Sequence, residues 1–159
     1  MNESRFAEQL SGITRPYIFS TGAKMESLDS KIDAFLAAPS VAVVGASDDK
    51  HKYGHKVLVC YKQNNRKAIP VNPNAQTVLG ETCYPNLLSL PEKVESVSII
   101  TPPAVTKKVV DDAIEAGVKN LWMQPGAENY EAIAKAEAAG LKVIHGGACV
   151  LVVLGYHGE

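Results

Sequence analysis

The sequence has little of what defines several specialised classes of protein. It contains three cysteines, one tryptophan and 6% aromatic residues, and its formal net charge is −1. Cys60, Cys83 and Cys149 are odd in number, far apart and outside metal-ligand spacing, which argues against a disulfide framework or a zinc site. The balanced charge gives no support for nucleic acid as the main partner. We therefore expect a protein of a reducing compartment.

Long apolar runs are also missing. No stretch approaches the roughly 20 residues needed to cross a bilayer, and the first residues have no apolar signal core. Glu3 and Glu8 argue against an acid-poor transit peptide. These features predict a cytoplasmic protein without membrane attachment. The 159 residues suffice for one domain with a proper core, which we assign to residues 27–159, after an extension of unclear period at 1–26.

The most informative stretch is an apolar run that ends at a glycine. Residues 41–44 are Val-Ala-Val-Val, followed by Gly45-Ala46-Ser47, a polar segment and Gly54. Such a run is typical of a strand buried on both faces of a parallel sheet. Glycine lets the backbone turn sharply and approach a ligand closely. A helix that begins near Gly54 would direct free N–H groups at this turn, which predicts a phosphate-binding loop.

The rest of the chain alternates between strand and helix patterns. Strands are predicted at residues 41–44, 68–71, 97–100, 121–123 and 141–144, and helices from Ser27, near Gly54, from Pro103 and over 128–138. The alternation predicts an α/β domain, a three-layer Rossmann-like fold with a mostly parallel five-stranded sheet. Residues 75–94 are the least regular, with a turn near Gly80 and a helix near Leu87. Residues 150–154 are expected to pack as a final helix or strand.

Three predictions concern packing. The spacing of the apolar residues after Pro103 predicts one buried helical stripe, formed by Val105, Val109, Val110, Ala113 and Ile114. Trp122, on a central strand, is expected in the core. For Cys149 the alternatives are a reactive thiol near the ligand and a small buried residue, and we expect the buried residue, since free cysteine is among the most buried residue types.

Ligands of such sheets bind beyond the carboxyl ends of the strands. The loops there are rich in small, proline or uncharged polar residues, namely Gly45-Ala46-Ser47, Asn72-Pro73, Thr101-Pro102-Pro103, Gln124-Pro125-Gly126-Ala127 and His145-Gly146-Gly147. This composition favours binding of a nucleotide through the backbone over acid–base chemistry. A basic cluster near the loop is compatible with a phosphorylated ligand or with a solvated surface; it comprises Lys50, His51, Lys52, His55 and Lys56.

A nicotinamide cofactor is the first alternative. Its site has the pattern G-x-G-x-x-G and an acid about 20 residues further on. Here Ser47 stands at the second glycine position, and Pro70-Val71-Asn72-Pro73 contains no acid. The sequence therefore disfavours an NAD(P)-dependent oxidoreductase. The four histidines form no recognisable metal set, and we predict neither a metal site nor catalytic residues.

Longer motifs carry a family resemblance. They are V-A-V-V-G-A-S at 41–47, A-I-P-V-N-P at 68–73, G-E-T-C-Y-P-N-L at 80–87, S-I-I-T-P-P at 98–103 and N-L-W-M-Q-P-G-A at 120–127. From about Ser40 to about Leu154, the sequence resembles the small CoA-binding proteins related to the N-terminal domain of the succinyl-CoA synthetase α subunit. The resemblance implies a Rossmann-like fold and coenzyme A, or an acyl-CoA, as the ligand.

The resemblance also implies roles for individual residues. The pyrophosphate would lie at Gly45, Ala46, Ser47, Tyr53 and Gly54. The adenosine would lie beside Val71, Asn72 and Pro73, with Lys52 or Lys56 near its 3′-phosphate. Thr101, Pro102 and Pro103 would form the opposite wall, and Gln124, Pro125, Gly126 and Ala127 would border the pantetheine. One departure is Gly146-Gly147-Ala148 before Cys149, where the family usually carries a basic residue just before the cysteine.

The larger synthetases of this family add a domain with a phosphorylated histidine and a partner subunit. No such domain is present in these 159 residues, so we expect no synthetase activity from this chain alone. The expected function is that of a stand-alone CoA- or acyl-CoA-binding protein without catalytic machinery of its own. A homodimer or another protein partner is compatible with the sequence. The second alternative is a structural or regulatory partner whose nucleotide pocket is empty or vestigial. The intact Gly45-Ala46-Ser47 loop argues against it.

Overall fold

Short apolar segments form a central sheet in the computed structural model, which describes residues 26–158. The strands are β1 (Ser40–Val44), β2 (Lys67–Val71), β3 (Thr77–Val78), β4 (Glu81–Thr82), β5 (Ser96–Ile99), β6 (Asn120–Met123) and β7 (Lys142–Ile144). Five of them pair in the order β2-β1-β5-β6-β7, and every pairing in that sheet is parallel. The predicted Rossmann-like α/β fold is confirmed, and the main sheet is parallel throughout.

Within residues 26–158, four α-helices cover the sheet, and local sequence signals define their ends. They are α1 (Leu28–Leu36), α2 (Tyr53–Gln63), α3 (Pro103–Glu115) and α4 (Tyr130–Ala138). Ser27 caps α1 by accepting a hydrogen bond from the Ser30 N–H. Asn129 caps α4 in the same way, so this helix begins two residues later than predicted. Proline occupies the first turn of α3, where its missing N–H costs nothing.

The two faces of the sheet bury separate apolar clusters. On one face, α1 and α2 pack around Phe35, Tyr61 and Trp122. The Trp122 ring meets Phe35 edge to face at 5.3 Å, and its indole N–H donates to the Ala148 carbonyl oxygen at 2.9 Å. Trp122 is fully buried, which confirms its predicted place in the core. On the other face, α3 and α4 cover Leu121 and neighbouring residues.

The irregular region between β2 and β5 folds into two short pieces. Strands β3 and β4 form a hairpin that turns at Leu79 and Gly80, both of which have positive φ. A single 3₁₀ turn, Leu87–Ser89, follows, where a helix near Leu87 was predicted. The chain closes with a π-helical turn, Leu151–Gly155, at the predicted final element. The assigned extension lies outside the described residues, except for Glu26.

Two packing predictions need correction. Val109, Val110 and Ala113 are buried as predicted, but Val105 is 48% exposed because it faces an open cavity. Cys149 is only partly buried, whereas Cys60 and Cys83 are buried. Burial raises the pKa of the Cys60 and Cys83 thiols above its ordinary value.

Within the described residues, no helix combines the length and apolar character needed to cross a membrane. Across residues 26–158, no group of three or more His, Cys, Asp or Glu side chains is arranged to hold a metal ion.

Candidate functional site

Gly45 ends β1 in a conformation that only glycine adopts easily. Its φ is +103°, and a Cβ atom at this position would lie 2.9 Å from the Ile100 carbonyl oxygen. The Gly45 N–H donates to the Val71 carbonyl oxygen at 2.9 Å, and the Ile100 N–H donates to Val44 at 2.9 Å. The turn is therefore held between the ends of β2 and β5.

Gly54 brings the start of α2 directly against this turn. A Cβ atom at Gly54 would overlap the Gly45 carbonyl oxygen. The first turn of α2 follows Lys52 and has no side-chain cap. Backbone N–H groups at such a helix start lack intrahelical partners and carry the positive end of the helix dipole. Gly45 and Gly54 together thus place an anion-binding helix start beside the loop.

Hydrogen bonds hold the loop between the two glycines in one shape. The Ser47 hydroxyl oxygen accepts from the Asp49 N–H at 3.0 Å, which leaves its own O–H to donate. The Asn72 amide donates to the Ala46 carbonyl oxygen at 2.8 Å. Asp48 accepts from the Leu79 N–H at 2.7 Å and so ties the loop to the β3–β4 hairpin. The loop is preorganised before any ligand arrives.

An apolar cavity of about 270 Å³ opens beside Gly45. Its first wall is formed by the strand ends and the residues after them, Val44, Gly45, Val71, Pro73 and Thr101. Residues 85–88, the last two of which belong to the 3₁₀ turn, form the second wall, and α3 forms the third with Val105, Lys108, Val109 and Asp112. The cavity therefore lies beyond the strand ends, beside the point where strand order reverses between β1 and β5.

One charged pair lines this cavity. Lys108 donates to Asp112 across one helical turn, with the Nζ and Oδ1 atoms 2.8 Å apart. This hydrogen bond to Asp112 is the main cause that raises the pKa of Lys108 above its ordinary value. The Asp112 side chain is 8% exposed, whereas the Lys108 side chain is 73% exposed. The carboxylate thus lies inside the wall and the ammonium at its mouth.

The other half of this sheet edge is closed by a chain of hydrogen bonds. Gln124 is fully buried at the end of β6. Its Nε2 donates to Ser98 at 3.1 Å, and its Oε1 accepts from the Val150 N–H at 3.0 Å and from the Tyr53 hydroxyl at 3.3 Å. Ser98 Oγ also bonds the Tyr61 hydroxyl at 2.9 Å. The Gln124 amide is therefore fixed by contacts within the protein.

Tyr53 carries this chain of hydrogen bonds outward to Cys149. Its hydroxyl lies 2.6 Å from the Cys149 sulfur. Gln124 Oε1 can only accept from this hydroxyl, whereas either the hydroxyl or the thiol can donate in the contact between Tyr53 and Cys149. Burial, with a smaller contribution from this contact, raises the pKa of Tyr53 above its ordinary value. Tyr53 is thus a neutral hydroxyl that joins the start of α2 to the segment after β7.

The predicted site residues fall into three groups. Gly45, Val71, Pro73 and Thr101 line the cavity. The next group contacts other parts of the protein through side chains or backbone, and it comprises Ala46, Ser47, Tyr53, Gly54, Asn72, Gln124 and Ala127. The last group is exposed at the rim or beside the loop, and it comprises Lys52, Pro102, Pro103, Pro125 and Gly126.

Sequence reasoning missed two cavity walls, residues 85–88 and the exposed face of α3. Asn86 and its neighbours lie in a stretch without periodicity, and although residues 80–87 belong to a family motif, no binding role was assigned to them. The positions Val105, Lys108, Val109 and Asp112 do follow the spacing of one helix face. This helical spacing is visible in the sequence, but the apolar residues of that face were predicted to lie in the core.

Comparison with known proteins agrees with this architecture. The family model for the CoA binding domain matches residues 39–155. The ADP-forming acetate–CoA ligase II of Archaeoglobus fulgidus is 38% identical over 82 residues, which are 50% of this chain and 12% of the ligase. The chain thus spans only a small part of that relative.

Solved structures extend the similarity to the fold. A hypothetical protein from Pyrococcus horikoshii OT3 superimposes with a TM-score of 0.75 at 30% identity, over 81% of this chain and 92% of that one. The dinucleotide-forming acetyl-coenzyme A synthetase 1 of Ca. Korarchaeum cryptofilum superimposes with a TM-score of 0.59 at 32% identity, over 66% and 25%. The family match covers well over half of the sequence and confirms the resemblance. The chain belongs to the CoA-binding domain family.

Proposed function

We propose that this chain binds coenzyme A, or an acyl-CoA, as a small-molecule ligand and has no catalytic machinery of its own. One observation carries the proposal. Gly45 belongs both to the anion-binding turn and to the wall of the apolar cavity. A phosphate group and an attached apolar ring system would therefore find complementary surfaces side by side.

The parts of the ligand fit different parts of the edge. The pyrophosphate suits the loop between Gly45 and Gly54 and the uncapped start of α2. The adenosine suits the cavity, whose walls are largely aliphatic. Lys52, just before α2, is exposed and within the same segment, which favours a charge contact with a phosphate. The pantetheine would then run over the surface at the end of β6, past the exposed residues Pro125 and Gly126.

The end of β2 supports CoA over a nicotinamide dinucleotide. An acid at this position would bind the ribose hydroxyls of NAD. Asn72 stands there instead. Its amide nitrogen donates a hydrogen bond to the Ala46 carbonyl oxygen, and its side-chain oxygen accepts one from the Asn74 N–H at 2.8 Å. Both polar ends of the side chain are thus engaged in shaping the loop.

The relatives support the same ligand, and the acyl group it carries has to be determined by experiment. The matched ligases carry acetate and CoA in their names, which makes acetyl-CoA the first acyl form to test. Along the β6–β7 side, Gln124 and Tyr53 are engaged with each other, which favours binding over acid–base chemistry.

Thermal unfolding with a ligand panel tests the proposal. Purified protein is heated with CoA, acetyl-CoA, NAD, NADP or ATP at the same excess. A ligand that binds only the folded state adds about 2.7 kcal/mol at one hundred times its dissociation constant. We expect CoA or acetyl-CoA to raise the melting temperature most. A larger shift with NAD or NADP, or no shift with any of the five, would overturn the proposal.

A further inference from the structure

We infer that Asp112 recognises the amino edge of the adenine ring, and that Lys108 holds its carboxylate in place at the cavity mouth. The inference rests on the proposed function and names the residue that determines base specificity in that site. The cavity walls are largely apolar, yet Asp112, an acidic residue whose side chain is only 8% exposed, is one of the residues that line them.

Burial makes this carboxylate effective as a specificity determinant. A carboxylate that is 8% exposed has lost most of its water, so a hydrogen bond to a ligand there is stronger than at the surface. Its Oδ1 atom accepts from Lys108, and an ionised carboxylate has about four acceptor sites in all. Acceptor capacity therefore remains for a donor group inside the cavity.

The position of Asp112 suits the far end of an adenosine. It lies two helical turns beyond Val105, which is about 10 Å along the helix axis. The cavity also contacts Gly45 and Thr101 at the strand ends. A ligand with its phosphates at Gly45 would therefore extend its base along the face of α3 toward Asp112.

The chemistry of the two groups determines which base edge fits. Adenine presents a 6-amino donor beside a ring-nitrogen acceptor. The carboxylate accepts from the amino group, and the Lys108 ammonium has further N–H donors for the ring nitrogen. A base with a 6-oxo group reverses this pattern, because it places an acceptor oxygen against the carboxylate and an N1–H donor against the Lys108 ammonium, so neither contact pairs a donor with an acceptor.

The test compares CoA with its hypoxanthine analogue, in which a 6-oxo group replaces the 6-amino group. We measure both dissociation constants by calorimetry on the wild type and on Asp112→Asn. The wild type should prefer CoA by about tenfold or more, since a site built for a donor rejects a ligand without one. Asp112→Asn should narrow this ratio severalfold, because an amide can turn to donate to the 6-oxo oxygen.

Asp111→Asn is the matched control. Asp111 neighbours Asp112 on α3 but pairs with Lys135 of α4, with 2.6 Å between Nζ and Oδ1, outside the cavity. The Asp111→Asn variant should leave the ratio of the two dissociation constants at its wild-type value. Equal affinities of the wild type for CoA and the analogue would overturn the inference even if Asp112→Asn fails to fold. The same holds if Asp112→Asn keeps the wild-type ratio while CoA still binds. Failure of the wild type to bind either compound would overturn the proposed function as well.

Discussion

The two halves of the carboxyl edge of this sheet use their residues in opposite ways. At β2, β1 and β5, the strand ends open onto a cavity of about 270 Å³ with apolar walls. At β6 and β7, the corresponding space is filled by Gln124, Tyr53 and the residues after β7, joined by hydrogen bonds. One half is shaped to receive a ligand, and the other is held together by contacts within the protein.

This difference separates binding residues from supporting residues. Both halves have small and polar residues after their strands, so position at a strand end does not distinguish them. On the open half, a substitution that fills space should weaken ligand binding and leave folding nearly unchanged. On the closed half, a substitution that removes a polar group should lower the free energy of unfolding, because buried partners lose their hydrogen bonds.

The largest effect is expected where the loop and α2 meet. Gly54→Ala would place a methyl group onto the Gly45 carbonyl oxygen, so the helix must shift away from the loop. We expect a loss of about 3 kcal/mol in the free energy of unfolding, measured by urea denaturation. Gly140→Ala is the control, because a Cβ atom at Gly140 would meet nothing within 4 Å. This substitution costs only the backbone strain of a positive φ, about 1 kcal/mol. Equal losses in the two variants would contradict the close contact.

Gln124→Leu should have the next largest effect. It removes the acceptor of the Val150 N–H and the donor to Ser98, both in the buried interior. Unsatisfied buried groups of this kind cost about 2 kcal/mol, which urea denaturation without ligand will detect. Gln63→Leu is a comparison variant, since Gln63 is only partly buried at the end of α2. A free energy of unfolding equal to that of the wild type would show that the hydrogen-bond chain adds no stability.

The sequence predicted the open half better than the closed one. The run into Gly45 and the position of Gly54 are local signals, and both glycines occupy the predicted turn. Gln124 was assigned to the pantetheine border by resemblance, but its partner Ser98 is 26 residues away in sequence. No local pattern reveals such a pair.

The cavity illustrates a second limit of sequence reasoning. Helical periodicity identifies which residues share a face but not whether that face meets a core or a cavity. Val105 was therefore predicted as buried, although it is 48% exposed. Its neighbour in space, Leu87, lies in a 3₁₀ turn with too few residues to create a periodic pattern.

The smallest of these stability effects concerns alkaline pH. Burial raises the pKa of Tyr61 in the folded protein above its ordinary value of 10.0. The unfolded chain therefore releases this proton first, so stability is intact below pH 10 and falls as the pH rises above it. The slope is at most about 1.4 kcal/mol per pH unit for one group. Tyr61→Phe should reduce this slope in urea denaturation between pH 9 and 11, whereas Tyr130→Phe, at a 72% exposed ring, should not. Equal slopes in both variants would contradict the assignment.

The most direct test of the open half is a calorimetric titration of CoA into wild type, Val105→Trp and Val152→Trp. Val105 faces the cavity and Val152 is 81% exposed on the final π-helical turn, so both variants add the same ring at exposed valines. Val105→Trp should fill the cavity and weaken CoA binding by at least about tenfold, or ~1.4 kcal/mol, with an unchanged melting temperature. Val152→Trp should bind as the wild type does. Wild-type affinity in Val105→Trp would contradict binding of CoA in this cavity.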